Sequence, residues 1–418
     1  MSGHNSKLFI NARIIDPAVD YDQIGSLLVT GSQIAAYGET LEAPKDAEII
    51  DCGGRILCPG FIDMRAHAVD PIAAPAGGIT TVILQPDQNT MIETDAVVER
   101  IRRRAEDGAS NRVYPMGTAT QGMKGAQIAE IGQMQQSGAV GFTDCTKAVA
   151  SAQVMRRLLE YAGYFDALIV QYPEEASLAD SGVAHEGETA TRLGLAGIPA
   201  AAEAIQIERD ARLAQLTNSR IHFSMISSAE GVDAVRSAKK HGIKVTCSTA
   251  PHYLILNDNA LEGYRTFAKV MPPLREETDR LALITGIADG TIDTLVSDHD
   301  PKSEDVKRLP FAQAAHGIIG FETLLPLALA PVHAGKFDLI TMLRALTSAP
   351  AHLLGLNTGS LAAGAPADIV IFDLEKPWRI SVEKLLSSAK NTPFDSLPVQ
   401  GQVWRTLVDG NVLFEGGN

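Results

Sequence analysis

The side chains of this 418-residue sequence that could do chemistry lie directly after predicted β-strands. Arg65–His67, Asp144–Cys145 and Asp298–His299 each end such a strand. Imidazole, carboxylate and thiolate groups can hold a metal ion or move a proton, whereas a guanidinium stays charged and cannot coordinate a cation. Barrel enzymes keep their active sites where the carboxyl ends of parallel strands meet. These strand ends are therefore the first candidates for a site.

Two of these residues also admit a structural interpretation. Cys145 could be a nucleophile or, with Met225, a soft metal ligand, but a free cysteine is more commonly a small buried apolar side chain. His299 follows Asp298 directly and points to the other face of its strand, so we expect it to be packed and hydrogen-bonded. The Arg102–Arg104 run is interpreted as a solvated helix face.

Three other histidines could be imagined as a metal cluster. His252 follows its predicted strand and belongs to the rim, whereas His222 lies early in its own strand, near the opposite end. We therefore do not expect His185, His222 and His252 to converge.

The elements that position these residues alternate between strand-like and helix-like segments, which is typical of parallel βα units. Eight candidate strands are present, the number that a closed (β/α)8 barrel needs. They are 60–67, 78–85, 112–118, 139–144, 167–172, 220–227, 244–250 and 293–298.

The first connection of this barrel is unusually short. Only about ten residues separate His67 from Gly78, whereas a parallel crossover usually takes about a dozen or more. Pro71 and Pro75 also oppose a helix interior. The first barrel helix is predicted to be missing or reduced to a turn, which would leave barrel wall uncovered.

Short strand-like segments at both ends of the chain predict a second, β-sandwich-like domain. Asp409–Gly410 is a hairpin turn signal within the last of them. The predicted domains are residues 1–59 with 356–418 for the small β-domain and 60–355 for the barrel. The strand-like segments are 7–16, 25–37, 48–56, 367–373 and 403–414.

The stretch Pro59–Pro71 resembles the dihydroorotase and allantoinase branch of the amidohydrolase superfamily, which reads PGFIDxHxHxRDPG at this point. Further landmarks of that family follow in the same order along the chain. They are 138–144, 185–188, 192–195, 272–275, 289–293, 297–299, 321–323, 365–368 and 391–394.

The resemblance implies a zinc enzyme that interconverts carbamoyl-aspartate and dihydroorotate, with an aspartate that shuttles the proton. Of six expected ligand positions, three match and three are lost. The matching positions are His67, Asp144 as the bridging carboxylate, and Asp298, which is also the proton shuttle; the lost ones are Arg65, Gln171 and Met225. Glutamine and a thioether are poor zinc ligands, so we expect no metal, with zinc only if the enzyme interpretation holds.

Arg65 can replace the missing metal charge. A guanidinium pairs with carboxylates, so we expect Arg65 to pair with Asp298, Asp144 or both. Such a pair would relieve the repulsion between two buried carboxylates.

The positions that the family uses to bind substrate are also changed. Valine and aspartate replace an arginine and an asparagine, which removes donors and adds a like charge, so an anionic dihydroorotate should bind poorly. The four changed positions are Val69, Asp87, Met271 and Lys302.

The leading interpretation is thus a non-catalytic dihydroorotase homologue that resembles the zinc-less chains assembling with aspartate transcarbamoylase. The alternative is a one-metal dihydroorotase or another cyclic amidohydrolase that uses His67, Asp144 and Asp298. A third interpretation, a metabolite-binding protein, has no positive support in the sequence.

Bulk properties constrain the partners and the location. A formal net charge of −14 argues against nucleic acid or an anionic membrane surface. Four cysteines without a CxxC pair, no signal-like leader and no apolar span predict a cytoplasmic protein. We also expect a homo-oligomer.

Overall fold

The computed structural model describes residues 6–106, 108 and 111–417. Strands outnumber helices along both ends of the chain, and the two alternate in its middle. The strands within the described residues are β1 (Ser6–Asp16), β2 (Tyr21–Thr30), β3 (Gln33–Gly38), β4 (Ala47–Asp51), β5 (Ile56–Pro59), β6 (Phe61–Ala66), β7 (Ile79–Leu84), β8 (Arg112–Pro115), β9 (Ile169–Gln171), β10 (Ala184–His185), β11 (Gly197–Ile198), β12 (Ile221–Phe223), β13 (Val245–Thr249), β14 (Thr294–Leu295), β15 (Ile369–Arg379), β16 (Pro398–Val408) and β17 (Asn411–Glu415).

The helices vary from one turn to almost five. Among the described residues, no helix is both long enough and apolar enough to cross a membrane. The helices are α1 (Ala73–Ala76), α2 (Asp95–Glu106), α3 (Ile131–Gln136), α4 (Ala152–Gly163), α5 (Ala176–Ala179), α6 (Glu188–Leu193), α7 (Ala201–Thr217), α8 (Ala229–Lys240), α9 (His252–Ile255), α10 (Glu277–Ala288), α11 (Glu304–Lys307), α12 (Leu324–His333), α13 (Leu339–Leu346) and α14 (Ser348–Leu354).

The middle of the chain forms the predicted parallel barrel. Strands β6, β7 and β8 make one parallel run, and β9, β12, β13 and β14 make another. Phe142 joins the two runs through single bridges to Gly117 and Ile169, and a bridge between Ala66 and His299 closes the ring. The (β/α)8 architecture is therefore confirmed.

The predicted strand 139–144 is much shorter than expected, because it contributes only the bridges of Phe142. Gly138 at φ 109° and Cys145 at φ 60° turn the backbone at its two ends. A left-handed conformation at both ends leaves little extended chain between them.

The first barrel helix is reduced, as predicted, to the four residues of α1. The expectation that the adjoining wall is left bare is wrong on one side, because β15 and β16 of the same chain pack against β7. The Thr406 hydroxyl donates to the carbonyl of Pro75 over 2.7 Å. A side chain at Gly77 would lie 2.1 Å from the Phe321 carbonyl oxygen, so only glycine permits this close packing.

Strands from both termini combine into one small β-domain, as predicted. Their hydrogen-bonded order is β17-β16-β15-β5-β1-β2-β3, with β4 paired to β1. The predicted turn Asp409–Gly410 joins β16 to β17. This domain has its own buried cluster around Phe9, Leu27 and Ile371, while Phe372 points into the barrel core. The boundaries at residues 59 and 356 stay a prediction.

Candidate functional site

Backbone strain marks three strand ends at the carboxyl rim of the barrel. Cys145, Met225 and Asp298 have φ angles of 60°, 61° and 51°. Such left-handed conformations cost a side-chain-bearing residue about 1–3 kcal/mol and cluster at functional sites. The backbone conformation at the rim is therefore of the kind found at functional sites.

Arg65 and Asp298 form a buried ion pair at this rim. The Arg65 Nε donates to Asp298 Oδ1 over 2.8 Å, and the two side chains are 3% and 6% exposed. Arg65 Nη1 donates to the Ser224 hydroxyl over 3.2 Å, while Nη2 is buried without a partner among the described residues. Burial raises the pKa of Asp298, and the charge of Arg65 opposes that shift. The expected pairing with Asp298 is confirmed.

Asp144 does not take part in this pair, so of the two alternative partners expected for Arg65 the structure has Asp298. Its Oδ1 accepts from the backbone N–H groups of Ala119 and Thr120 over 3.1 and 2.9 Å. Its Oδ2 accepts from the Thr120 hydroxyl. Local donors thus use both oxygens, and the turn at Thr120 holds the carboxylate away from Asp298.

His67 is held by Asp87, one of the changed substrate positions. His67 Nδ1 and Asp87 Oδ2 are 2.7 Å apart, and His67 Nε2 lies 3.9 Å from Asp298 Oδ1. Burial would raise the pKa of Asp87, but the hydrogen bond from His67 and the charges of His67 and Arg65 lower it below its ordinary value. Asp87 is therefore a partner for His67 and not merely an added negative charge.

Gln171 belongs to a different network. Its Nε2 donates to Asp210 Oδ2 over 3.1 Å, and Gln206 donates to the same oxygen over 2.8 Å. Arg209 pairs with Asp210 Oδ1 over 2.7 Å. Burial raises the pKa of Asp210 to about 6. The Gln171 amide therefore donates a hydrogen bond to the carboxylate of the Asp210–Arg209 ion pair.

Met225, the third position at which the family resemblance implies a missing ligand, is part of the packed core. Its side chain is fully buried in the barrel core. Its backbone N–H donates to the Ser248 hydroxyl over 3.3 Å. The position is therefore occupied by an apolar side chain that belongs to the core.

Little open space remains between these residues. The cavity has about 40 Å³ accessible to the centre of a water molecule, enough for a few waters and far below the several hundred Å³ of ordinary ligand pockets. Lys302 Nζ pairs with Asp300 Oδ1 over 2.7 Å at its edge. Val69 faces a neighbouring groove instead of this cavity. The lining residues are Arg65, His67, Asp87, Thr146, Met271, Asp298, Asp300, Lys302, His316 and Gly317.

These residues do not fit a binuclear zinc centre. A catalytic zinc takes about three protein ligands. The carboxylate of Asp298 is paired with Arg65 instead, and that of Asp144 is hydrogen-bonded to Thr120. Across residues 6–106, 108 and 111–417, no group of three or more His, Cys, Asp or Glu side chains is placed to hold a metal ion.

The structural interpretations of Cys145 and His299 agree with the geometry. Cys145 is 2% exposed, and burial raises the pKa of its thiol well above its usual range, which opposes a nucleophilic thiolate. His299 stacks on Phe321 at 3.8 Å and accepts the Gly320 N–H at its Nδ1. His222, one of the three histidines that we did not expect to converge, lies with its Nδ1 2.9 Å from the Thr246 hydroxyl.

Sequence reasoning missed three contributors to the site. Asp300 carried a readable signal, because it lies two residues beyond Asp298 on the same rim. Ser224 and Asp210 carried none, since each is recruited by a side chain distant in sequence.

Known proteins resemble this chain over almost its full length. Residues 54–231 match the dihydro-orotase-like family and residues 198–413 match the amidohydrolase family. A protein named dihydroorotase from Geotalea daltonii is 43% identical over 413 residues, which cover 96% of this chain and 97% of that one. A protein of the same name from Pelobacter propionicus is 40% identical, covering 97% and 99%. The L-hydantoinase structure from Arthrobacter aurescens superposes with a TM-score of 0.88 at 25% identity, covering 98% of this chain and 96% of that one.

Proposed function

The chain belongs to the dihydroorotase-like family of amidohydrolases, and on that premise we propose that it is a catalytically silent member. In this proposal it serves pyrimidine biosynthesis as a structural or regulatory partner of the aspartate transcarbamoylase catalytic chain. The proposed protein is a cytoplasmic homo-oligomer. It binds neither nucleic acid nor a membrane. The four free, buried cysteines fit a reducing compartment.

The buried pair of Arg65 and Asp298 carries the proposal of silence. Asp298 stands where the family has its last metal ligand and proton shuttle, and a guanidinium 2.8 Å away occupies its Oδ1. A carboxylate oxygen held by a guanidinium is not free to bind a metal ion or to exchange a proton with a substrate, because breaking the pair would leave a buried cation unpaired. The cavity beside the pair is also too small for a substrate the size of dihydroorotate.

The test of silence measures zinc content and turnover on the purified protein. We expect far less than one zinc per chain after dialysis against zinc, and no interconversion of carbamoyl-aspartate and dihydroorotate in either direction. The Geotalea daltonii relative, assayed alongside, calibrates the assay. Stoichiometric zinc with turnover in the usual enzymatic range of about 1–10³ per second would refute the proposal.

The test of partnership mixes the chain with the transcarbamoylase catalytic chain of the same organism. We expect a new species of larger mass in analytical ultracentrifugation and a more stable or more active transcarbamoylase. Two independent boundaries over the accessible concentration range would contradict the partnership and leave the proposal of silence standing.

One observation favours the alternative of a one-metal cyclic amidohydrolase. His67 Nδ1 is held by Asp87, the arrangement that orients metal-bound histidines through their other nitrogen. His67 Nε2 faces Asp298 at 3.9 Å. Asp144 would have to leave Thr120 to become the third ligand. The zinc measurement decides between the two functions.

A further inference from the structure

A groove lies on the barrel wall beside the shortened helix α1. It has a volume of about 490 Å³ and separates the loop after β6 from helix α2. Its apolar lining comes from Val69, Pro71, Leu84, Ile101 and Val113. In a complete barrel the first helix would cover this part of the wall. Leu84 and Val113 are buried at the bottom of the groove, whereas Val69 and Pro71 are left exposed beside the short α1.

Apolar side chains continue beyond the edge of the groove. Val69 is 39% exposed and Ile72, next to Pro71, is 61% exposed. Clustered exposed apolar residues mark interaction sites more often than scattered ones do. The floor and this edge therefore form one apolar strip.

The opposite edge of the groove is positively charged. Arg100 and Arg104 lie one helical turn apart on α2, and both line the groove. Neither has an ion-pair or hydrogen-bond partner among the described residues, whereas Arg103 on the same helix pairs with Glu99. Like charges four residues apart repel each other along a helix, so an acidic ligand would stabilise both.

The groove is connected to the filled site through one side chain. Gln88 lines the groove, and its Nε2 donates to the carbonyl oxygens of His67 and Gln85, each over 3.0 Å. The groove therefore borders the loop that carries Asp87.

We propose that this groove, the α1–α2 groove (Val69, Pro71, Leu84, Arg100, Ile101, Arg104 and Val113), docks an acidic, apolar segment of a partner protein. Apolar side chains of the segment cover the floor, and its carboxylates pair with Arg100 and Arg104. The chain as a whole carries a net charge of −14, so the two arginines at this edge, and not the overall charge, select an acidic segment by local complementarity. The assignment rests on the proposed partnership, so the segment belongs to the transcarbamoylase catalytic chain.

The experiment measures the dissociation constant of the full-length chain with that catalytic chain by sedimentation. The test variant is Arg100→Glu/Arg104→Glu, and Val69→Asp probes the floor independently. The matched control is Arg157→Glu/Arg212→Glu, because these arginines are also exposed on helices, α4 and α7, and have no ion-pair partner among the described residues. Circular dichroism verifies that each variant folds.

Arg100→Glu/Arg104→Glu should bind roughly 10-fold or more weakly, since two exposed pairs are lost and like charges face each other. Val69→Asp should also weaken binding, because it places a charge on the apolar lining. The control should bind as the wild type does. Raising salt from about 0.05 to about 0.5 M should weaken wild-type binding and affect the double groove variant much less.

The other outcomes overturn the assignment in distinguishable ways. Unchanged affinity of the folded groove variants shows that the partner binds elsewhere, and the proposed partnership survives. A wild type that never binds the catalytic chain refutes the partnership and the groove together. A groove variant that changes only its own self-association shows that a second copy of this chain is the occupant.

Discussion

The site at the carboxyl rim of the barrel divides into two halves that are held by different interactions. The charged half consists of Arg65, His67, Asp87 and Asp298, in which each acid faces a base at 2.7–2.8 Å. The packed half consists of Gln171 and Met225, where an amide and a thioether stand in ligand positions. The first half is held by ion pairs, and the second by packing and neutral hydrogen bonding.

The two halves differ because only the charged half contains a buried carboxylate, Asp298, at a strand end. Asp298 is a buried carboxylate that must have a cation near it, because an unpaired buried charge costs several kcal/mol. Positions 171 and 225 hold no carboxylate, so neutral side chains that pack or hydrogen-bond are sufficient there. We infer that Arg65 is required by charge, while Met225 is required only by shape.

The largest test of this contrast is Arg65→Met. It keeps an extended side chain but leaves Asp298 unpaired, so we expect unfolding in urea to show a loss of about 3–5 kcal/mol. The double variant Arg65→Met/Asp298→Asn should regain most of that loss, because no buried charge remains and asparagine tolerates the positive φ of position 298. A single-variant loss below about 1 kcal/mol, or additive losses in the double, would show that the charge is not what matters.

The next test concerns the acid behind the packed half. Asp210 has a pKa of about 6 in the fold against an ordinary value of 3.8, so the folded protein binds its proton more tightly than the unfolded chain does. This contribution to stability is unfavourable above about pH 6 and vanishes as the pH falls towards the ordinary value. Asp210→Asn does not titrate.

We therefore expect the wild type to gain roughly 2 kcal/mol relative to Asp210→Asn between about pH 7 and about pH 4. Urea unfolding at several pH values measures the difference, and the same change at the exposed Asp305 serves as control. A difference that stays constant with pH would place Asp210 outside the packed half as a simple, fully ionised partner of Arg209.

The sequence predicted the strands that carry this site better than it predicted the contacts between the side chains of the site. Strands β6 and β7 were recognisable because apolar runs start beside Gly60 and Gly78. The contact of His67 with Asp87 depends on how two loops turn at the rim, and Gln171 at the end of β9 meets Asp210 on helix α7. Such pairings depend on side-chain directions that no periodicity in the chain encodes.

The smallest effect should come from Met225→Leu. The swap keeps the volume of a fully buried side chain, so we expect a loss below about 1.5 kcal/mol in urea unfolding. Met225→Ala, which opens a cavity at the same place, should cost about 2–5 kcal/mol and shows that the position is sensitive to shape. The leucine variant also removes the sulfur that could join Cys145 as a soft ligand. A loss from Met225→Leu as large as that from Arg65→Met would mean that the sulfur has a specific partner, and the two halves would then not differ in kind.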